Sequence, residues 1–247
     1  MKKILSILLI LAGFVMAQGF GDLIDQADAL HELDDFSGNY ELLKKAEELE
    51  VDNFEVVWRL ARAHFDFFDN SEDDAVISEN VYAGMDYAKR ALEMDDARSE
   101  SHKWYGILIG QVGILEGTKQ KILNSYEVKE HTLKALELDP EDDGNFHVMG
   151  RWHYTLADLS WFERKIASLI YAKPPKASFG EAAEYFNQAI AKDSDEVRHH
   201  VWLGKTYEAL DDVEAAKNSY NAALAITAEN DSDRILQKEA QELLSDL

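Results

Sequence analysis

Along most of the chain, apolar residues recur at three- and four-residue intervals, the period of a helix that buries one face. The pattern is broken by short polar stretches of Asp, Asn, Ser and Gly that read as turns and caps. No stretch alternates with period two, so the pattern predicts helices throughout. The helices also repeat. "KALELDPED" (134–142), "RALEMDDAR" (90–98), "QAIAKDSDE" (188–196), "AALAITAEN" (222–230) and the weaker "KAEELEVDN" (45–53) are versions of one phrase. Each closes a helix and carries an alanine at a fixed point: Ala46, Ala91, Ala135, Ala189 and Ala223.

A matching first helix precedes each phrase. The last copy is the most regular. Leu203-Gly204-x-x-Tyr207, then Ala216, Tyr220 and Ala223, reproduce the tetratricopeptide pattern at its proper spacing. Its physical basis is close packing: small residues let the two helices of a hairpin approach, and large ones fill the gaps between hairpins. The chain is therefore expected to be all-α, a tetratricopeptide-like right-handed α-solenoid of about five helical hairpins with inserted helices and a C-terminal capping helix. The cap is the segment 231–247, with Asp231, Ser232 or Asp233 as its N-cap.

The alanine spacings are 45, 44, 54 and 34, and only the last equals the standard repeat. The largest excess lies in 150–175, "GRWHYTLADLSWFERKIASLIYAKPP". Ser160-x-x-Glu163 is a capping box that starts a helix at Trp161, and Pro174-Pro175 stops it. Ser178-x-x-Glu181 is a second capping box, opening the true partner helix. The inserted helix is expected to bury Trp161, Phe162 and Ile166 against the neighbouring hairpin.

Composition narrows the picture. Only three Pro and 13 Gly occur, and there is no Cys, which excludes disulfides, thiolate metal sites and thiol catalysis. Lys2 and Lys3, the apolar run from Ile4 to Met16, and Ala17 read as an export signal with cleavage after Ala17. The expected organisation is a signal peptide over 1–17, a lead-in and first helix over 18–35, and the solenoid over 36–247. The expected location is periplasmic or secreted, with no stable membrane insertion after cleavage.

The formal charge is −23, which disfavours nucleic acid and a general affinity for anionic surfaces. The charge is uneven. Residues 101–178 hold ten bases and ten acids, so the net negative charge sits on the two flanks.

The phrases "HKWYGILIGQ" (102–111), "KEHTLKALELDPED" (129–142), "GRWHYTLADLSWFERKIA" (150–167) and "PPKASFGEAAEYFNQAI" (174–190) resemble the regulator of microtubule dynamics family. The Trp-rich insertion is the most specific of them. The resemblance covers roughly residues 36–245. It implies a tetratricopeptide-like domain that works by binding, with animal members associated with microtubules or membrane contacts. It brings no catalytic residue.

The residues themselves give no phosphate-binding loop, zincin motif or serine-hydrolase elbow. His199 and His200 point about 100° apart on a helix and do not share an ion, and His200 is expected to be the packed one. No enzyme activity, cofactor or metal is expected. Trp104, Trp152, Trp161 and Trp202 are expected in the core.

The expected function is a scaffold that binds a protein or peptide in the concave groove lined by the first helices. Counting repeat phases, the inward-facing residues are Trp58, Arg62 and Phe65, then His102, Tyr105 and Ile109, then His147, Arg151 and Tyr154, then Arg198, Val201 and Lys205. Four cations among aromatic rings suit a partner with an anionic group, such as a peptide carboxylate. The alternative is a carrier of an apolar or lipid-like ligand, in a pocket that the inserted helices close.

Overall fold

A computed structural model describes residues 19–170 and 172–247. The expected signal peptide, 1–17, lies outside the described residues. Among these there are twelve helices: α1 (Phe20–His31), α2 (Phe36–Leu49), α3 (Phe54–Asp69), α4 (Asp74–Met94), α5 (Ser99–Leu115), α6 (Thr118–Leu138), α7 (Asp143–Ala157), α8 (Trp161–Ile170), α9 (Phe179–Lys192), α10 (Val197–Ala209), α11 (Val213–Ala225) and α12 (Asp231–Asp246). Five hairpins follow in order: α1 with α2, α3 with α4, α5 with α6, α7 with α9, and α10 with α11. The solenoid thus begins with α1, and α12 packs on α10 and α11 at its end.

The repeat alanines do what their spacing predicts. Ala46, Ala91, Ala135, Ala189 and Ala223 are completely buried between helices. Gly150 and Gly204 show why the first helix carries glycine. A β-carbon on Gly150 would stand 2.6 Å from the Phe186 ring, and one on Gly204 2.4 Å from the Tyr220 ring. Both rings are fully buried, so the large residue of the second helix fills the space the glycine leaves.

The three long spacings have two causes. The helices α4 and α6 each run to 21 residues, so two of the excesses are extra turns on ordinary second helices. The third is α8, a separate helix between α7 and α9. Both capping boxes form. Ser160 Oγ accepts from the Glu163 amide at 3.2 Å while Glu163 Oε2 accepts from the Ser160 amide at 2.9 Å. Ser178 Oγ accepts from the Glu181 amide at 3.2 Å. The cap of α12 is Asn230, whose side chain accepts from the Asp233 amide at 2.9 Å, rather than any of the three residues after it.

Two turns share a device. "LDD" occurs at 33–35 and at 210–212. Asp34 and Asp211 are left-handed, with φ of 56° and 59°, and the next aspartate caps the following helix.

The inserted helix is not packed as expected. Trp161 is 71 % exposed and Phe162 65 %, and Ala167 alone is buried on α8. The helix is tied down by its polar side instead: Thr118 Oγ1 donates to Glu163, and Arg164 donates to the Leu156 carbonyl. Trp104 and Trp152 are core residues, and Trp202 is half-buried.

Closure of the chain depends on α12. Its Ser232 amide donates to Asn70 Oδ1 at 2.8 Å, and the Ser232 hydroxyl donates to Asp69 at 2.8 Å. Asn230 donates to Asp34 at 3.4 Å. These bonds join the last helix to the first two hairpins across more than 160 residues of sequence. The solenoid therefore returns on itself, and α12 becomes a wall of the concave side.

Candidate functional site: a cavity on the concave side

The concave side encloses a cavity of about 1010 Å³. Its apolar lining comes from Trp58, Phe65 and Phe68 on α3, Trp104, Ile107 and Ile114 on α5, Val148 and Trp152 on α7, and Ile235 and Leu236 on α12. Trp152 is fixed from behind, its indole N–H donating to the Ser125 carbonyl at 2.7 Å. No residue of α8 lines the cavity, so the wall that closes it is α12 and not the inserted helix.

The inward-facing residues distribute as follows. Trp58, Arg62, Phe65, His147, Arg151 and Arg198 line the cavity. Tyr154 and Lys205 lie in a shallower second hollow with Trp202, Glu208 and Leu243. His102, Tyr105 and Ile109 do not reach the cavity. On α5 the inward positions are Lys103, Ile107, Gly110, Gln111 and Ile114. The rotation has local causes. His102 Nδ1 lies 2.8 Å from His131 Nδ1 of α6, and the Tyr105 hydroxyl donates to Glu127 of the same helix at 2.5 Å. Both side chains are held on the α6 side. Val201 is fully buried in the core of the last hairpin.

Most of the inner cations are neutralised. Arg62 bonds Asp28 at 2.9 Å, and Lys103 bonds Asp142 at 2.6 Å. Lys205 pairs with Glu239 at 2.5 Å. Arg198 lies 2.8 Å from Glu196 and 3.7 Å from Asp69. Burial opposes the Arg198 charge, but the two acids outweigh it and hold its pKa above the usual arginine range.

Arg151 is different. It makes no ion pair among the described residues, and its buried Nε has no hydrogen-bond partner. Its guanidinium lies over the Trp202 ring, 3.6 Å from the centroid. Burial pulls its pKa down to about 10, with Asp69 and Glu239 acting in the other direction. A buried cation held by a ring face, with a donor unused, is a place where an incoming anion recovers an existing desolvation cost.

Beside it runs a chain that the sequence did not reveal. His147 Nδ1 lies 3.0 Å from His199 Nδ1, and His199 Nε2 lies 2.9 Å from Asp143 Oδ2. His199, not His200, is the fully buried one of its pair. Burial holds His147 well below the usual histidine range, and His199, Arg151 and Arg198 add to the effect. Burial opposes the Asp143 charge, yet His199 keeps that carboxyl below the usual carboxylate range. A neutral His147 then donates to His199, and His199 donates to Asp143. The signal in sequence would have been the i, i+4 spacing of Asp143, His147 and Arg151 on one helix face.

The comparisons with known proteins agree with the repeat. Of the solved structures, a thermophilic tetratricopeptide protein of Thermus thermophilus superposes with a TM-score of 0.64 over 91 % of this chain and all of that one, at 12 % identity. The pilF protein of Pseudomonas aeruginosa gives 0.52 over 92 % of this chain and 85 % of its own, at 13 % identity. Both show the tetratricopeptide fold alone. In sequence, regulator of microtubule dynamics protein 1 of Mus musculus is 40 % identical over 92 % of this chain and 74 % of that protein. Regulator of microtubule dynamics protein 3 of Rattus norvegicus is 30 % identical over 90 % of this chain and 48 % of its own length. The family model described as "Regulator of microtubule dynamics protein 1-3" matches residues 23–247. With twelve helices in five hairpins, a Trp-bearing inserted helix and that match, the chain belongs to the regulator of microtubule dynamics family.

Proposed function

We propose that this protein is a non-enzymatic binding scaffold whose concave cavity receives a segment of a partner protein, and that a carboxylate of that segment pairs with Arg151. The observation that carries the reading is Arg151 itself: buried, without an acid in ion-pair reach among the described residues, and set in an aromatic cavity at the upper end of ligand-pocket size. Charge-assisted bonds from a planar guanidinium would orient the anion. The apolar walls on α5, α7 and α12 would bury the rest of the segment. The same reading makes residues 1–17 an export signal, so protein from the native host should begin at Gln18 or within a few residues of it by mass.

The apolar walls favour a second occupant of the same cavity, an acyl chain with an anionic head. One experiment addresses both. Full-length wild type and Arg151→Gln are used as baits in extracts of the producing cell, and each preparation is weighed by native mass spectrometry. Retention of a protein by wild type and its loss in Arg151→Gln supports the proposal. Equal retention by both removes Arg151 from the site, and a co-purified acyl-chain adduct selects the second reading.

A further inference from the structure

The inserted helix leaves an unsatisfied surface. Trp161, Phe162, Leu169 and Ile170 are 71, 65, 77 and 66 % exposed. At 100° per residue they fall within a half-turn arc of α8, while Glu163, Arg164 and the buried Ala167 occupy the other half. Four bulky apolar side chains gathered on three helical turns are unusual on a surface that is otherwise polar.

The charge around them is equally unusual. Residues 161–178 carry Arg164, Lys165, Lys173 and Lys176 against a single acid, Glu163, in a chain of net charge −23. That acid is turned away from the arc, accepting bonds from Ser160 and Thr118. Lys165 lies within the arc, its ammonium 4.6 Å from the Trp161 ring centroid. At physiological salt, charges act over about 8 Å, so the acidic flanks of the molecule are screened from this face.

We propose that α8 lies in the interface of an anionic lipid membrane. An aromatic and aliphatic arc flanked by lysines is the chemistry of a helix that rests in the headgroup layer. Two occupants fit less well. A ten-residue helix is about 15 Å long, too small for the roughly 800 Å² per partner that a stable protein contact covers. A second copy would also bring the same lysines face to face. The proposal is independent of the cavity, since no residue of α8 lines it.

The absence of cysteine allows a direct test. Leu169→Cys in the full chain is labelled with nitrobenzoxadiazole, whose emission rises and shifts to the blue on entering lipid. Leu33→Cys, on the exposed α1–α2 turn, is labelled as the control. Vesicles are phosphatidylcholine alone or with about one-third phosphatidylserine. The expected result is a response at position 169 with the anionic vesicles only, loss of that response at about 0.5 M salt, and no response at position 33. Adding Trp161→Glu and Phe162→Glu, both at exposed positions, should weaken vesicle binding at least about tenfold with the helical circular dichroism unchanged. Attachment through residues 4–16 alone would leave position 169 silent and overturn the proposal. So would an equal response at position 33, or a response without vesicles that grows with protein concentration and marks a second copy.

Discussion

At the residue scale, burial and pairing decide what each inner cation contributes. Arg198 satisfies two acids, so Arg198→Met should destabilise by about 1–3 kcal/mol, because Glu196 and Asp69 lose their partner. Arg151 satisfies none, so Arg151→Met should leave stability unchanged or raise it by up to about 1 kcal/mol, while removing ligand binding. Urea denaturation of the two variants separates these outcomes. The histidines set the pH dependence. His147 titrates below its unfolded value of roughly 6.5, so below that pH the unfolded chain takes up a proton that the folded chain refuses. Stability is fully present above about pH 6.5 and falls as pH drops toward the folded pKa, by up to about 1.4 kcal/mol per pH unit. His64 and His153, also lowered by burial, act in the same direction. Denaturation midpoints between pH 7 and 5 should fall accordingly, and His147→Gln should flatten the slope; a slope unchanged in that variant would remove His147 from the account.

At the element scale, what the sequence revealed was local packing, and what it concealed was which face looks outward. The alanines and the Gly150–Phe186 and Gly204–Tyr220 pairs follow from the short distance between paired helices, which any tetratricopeptide hairpin imposes. Gly204→Ala should therefore cost about 1–3 kcal/mol by displacing the Tyr220 ring, measured by chemical denaturation. The α8 capping boxes were legible because they are bonds between residues three apart. Its burial was not, because Trp161, Phe162 and Ile166 show the same helical spacing whether the apolar face meets protein or not. Trp161→Ala, which a packed insertion would make severe, should change stability by less than about 0.5 kcal/mol. The groove was legible on α3 and partly on α7 and α10. It was read about one residue out on α5, because the bonds of His102 and Tyr105 to α6 carry no local signature.

At the scale of the whole molecule, closure is the feature that no repeat pattern encodes. The bonds of Ser232 to Asp69 and Asn70 join residues more than 160 apart, and they turn a groove into a cavity. Since the chain lacks cysteine, Asp69→Cys with Ser232→Cys should form one disulfide under mild oxidation and add about 2–4 kcal/mol of stability. No cross-link would mean the two ends stand apart. The claim that this cavity holds an anion on Arg151 is tested most directly by arrays of the same peptides with free and amidated C-termini, probed with wild type and folded Arg151→Gln. The account predicts binders that prefer the free acid, weaken with salt, and lose at least about tenfold in affinity, or 1.4 kcal/mol, in the variant. Equal binding of free and amidated peptides, or an affinity unchanged by Arg151→Gln, would contradict it.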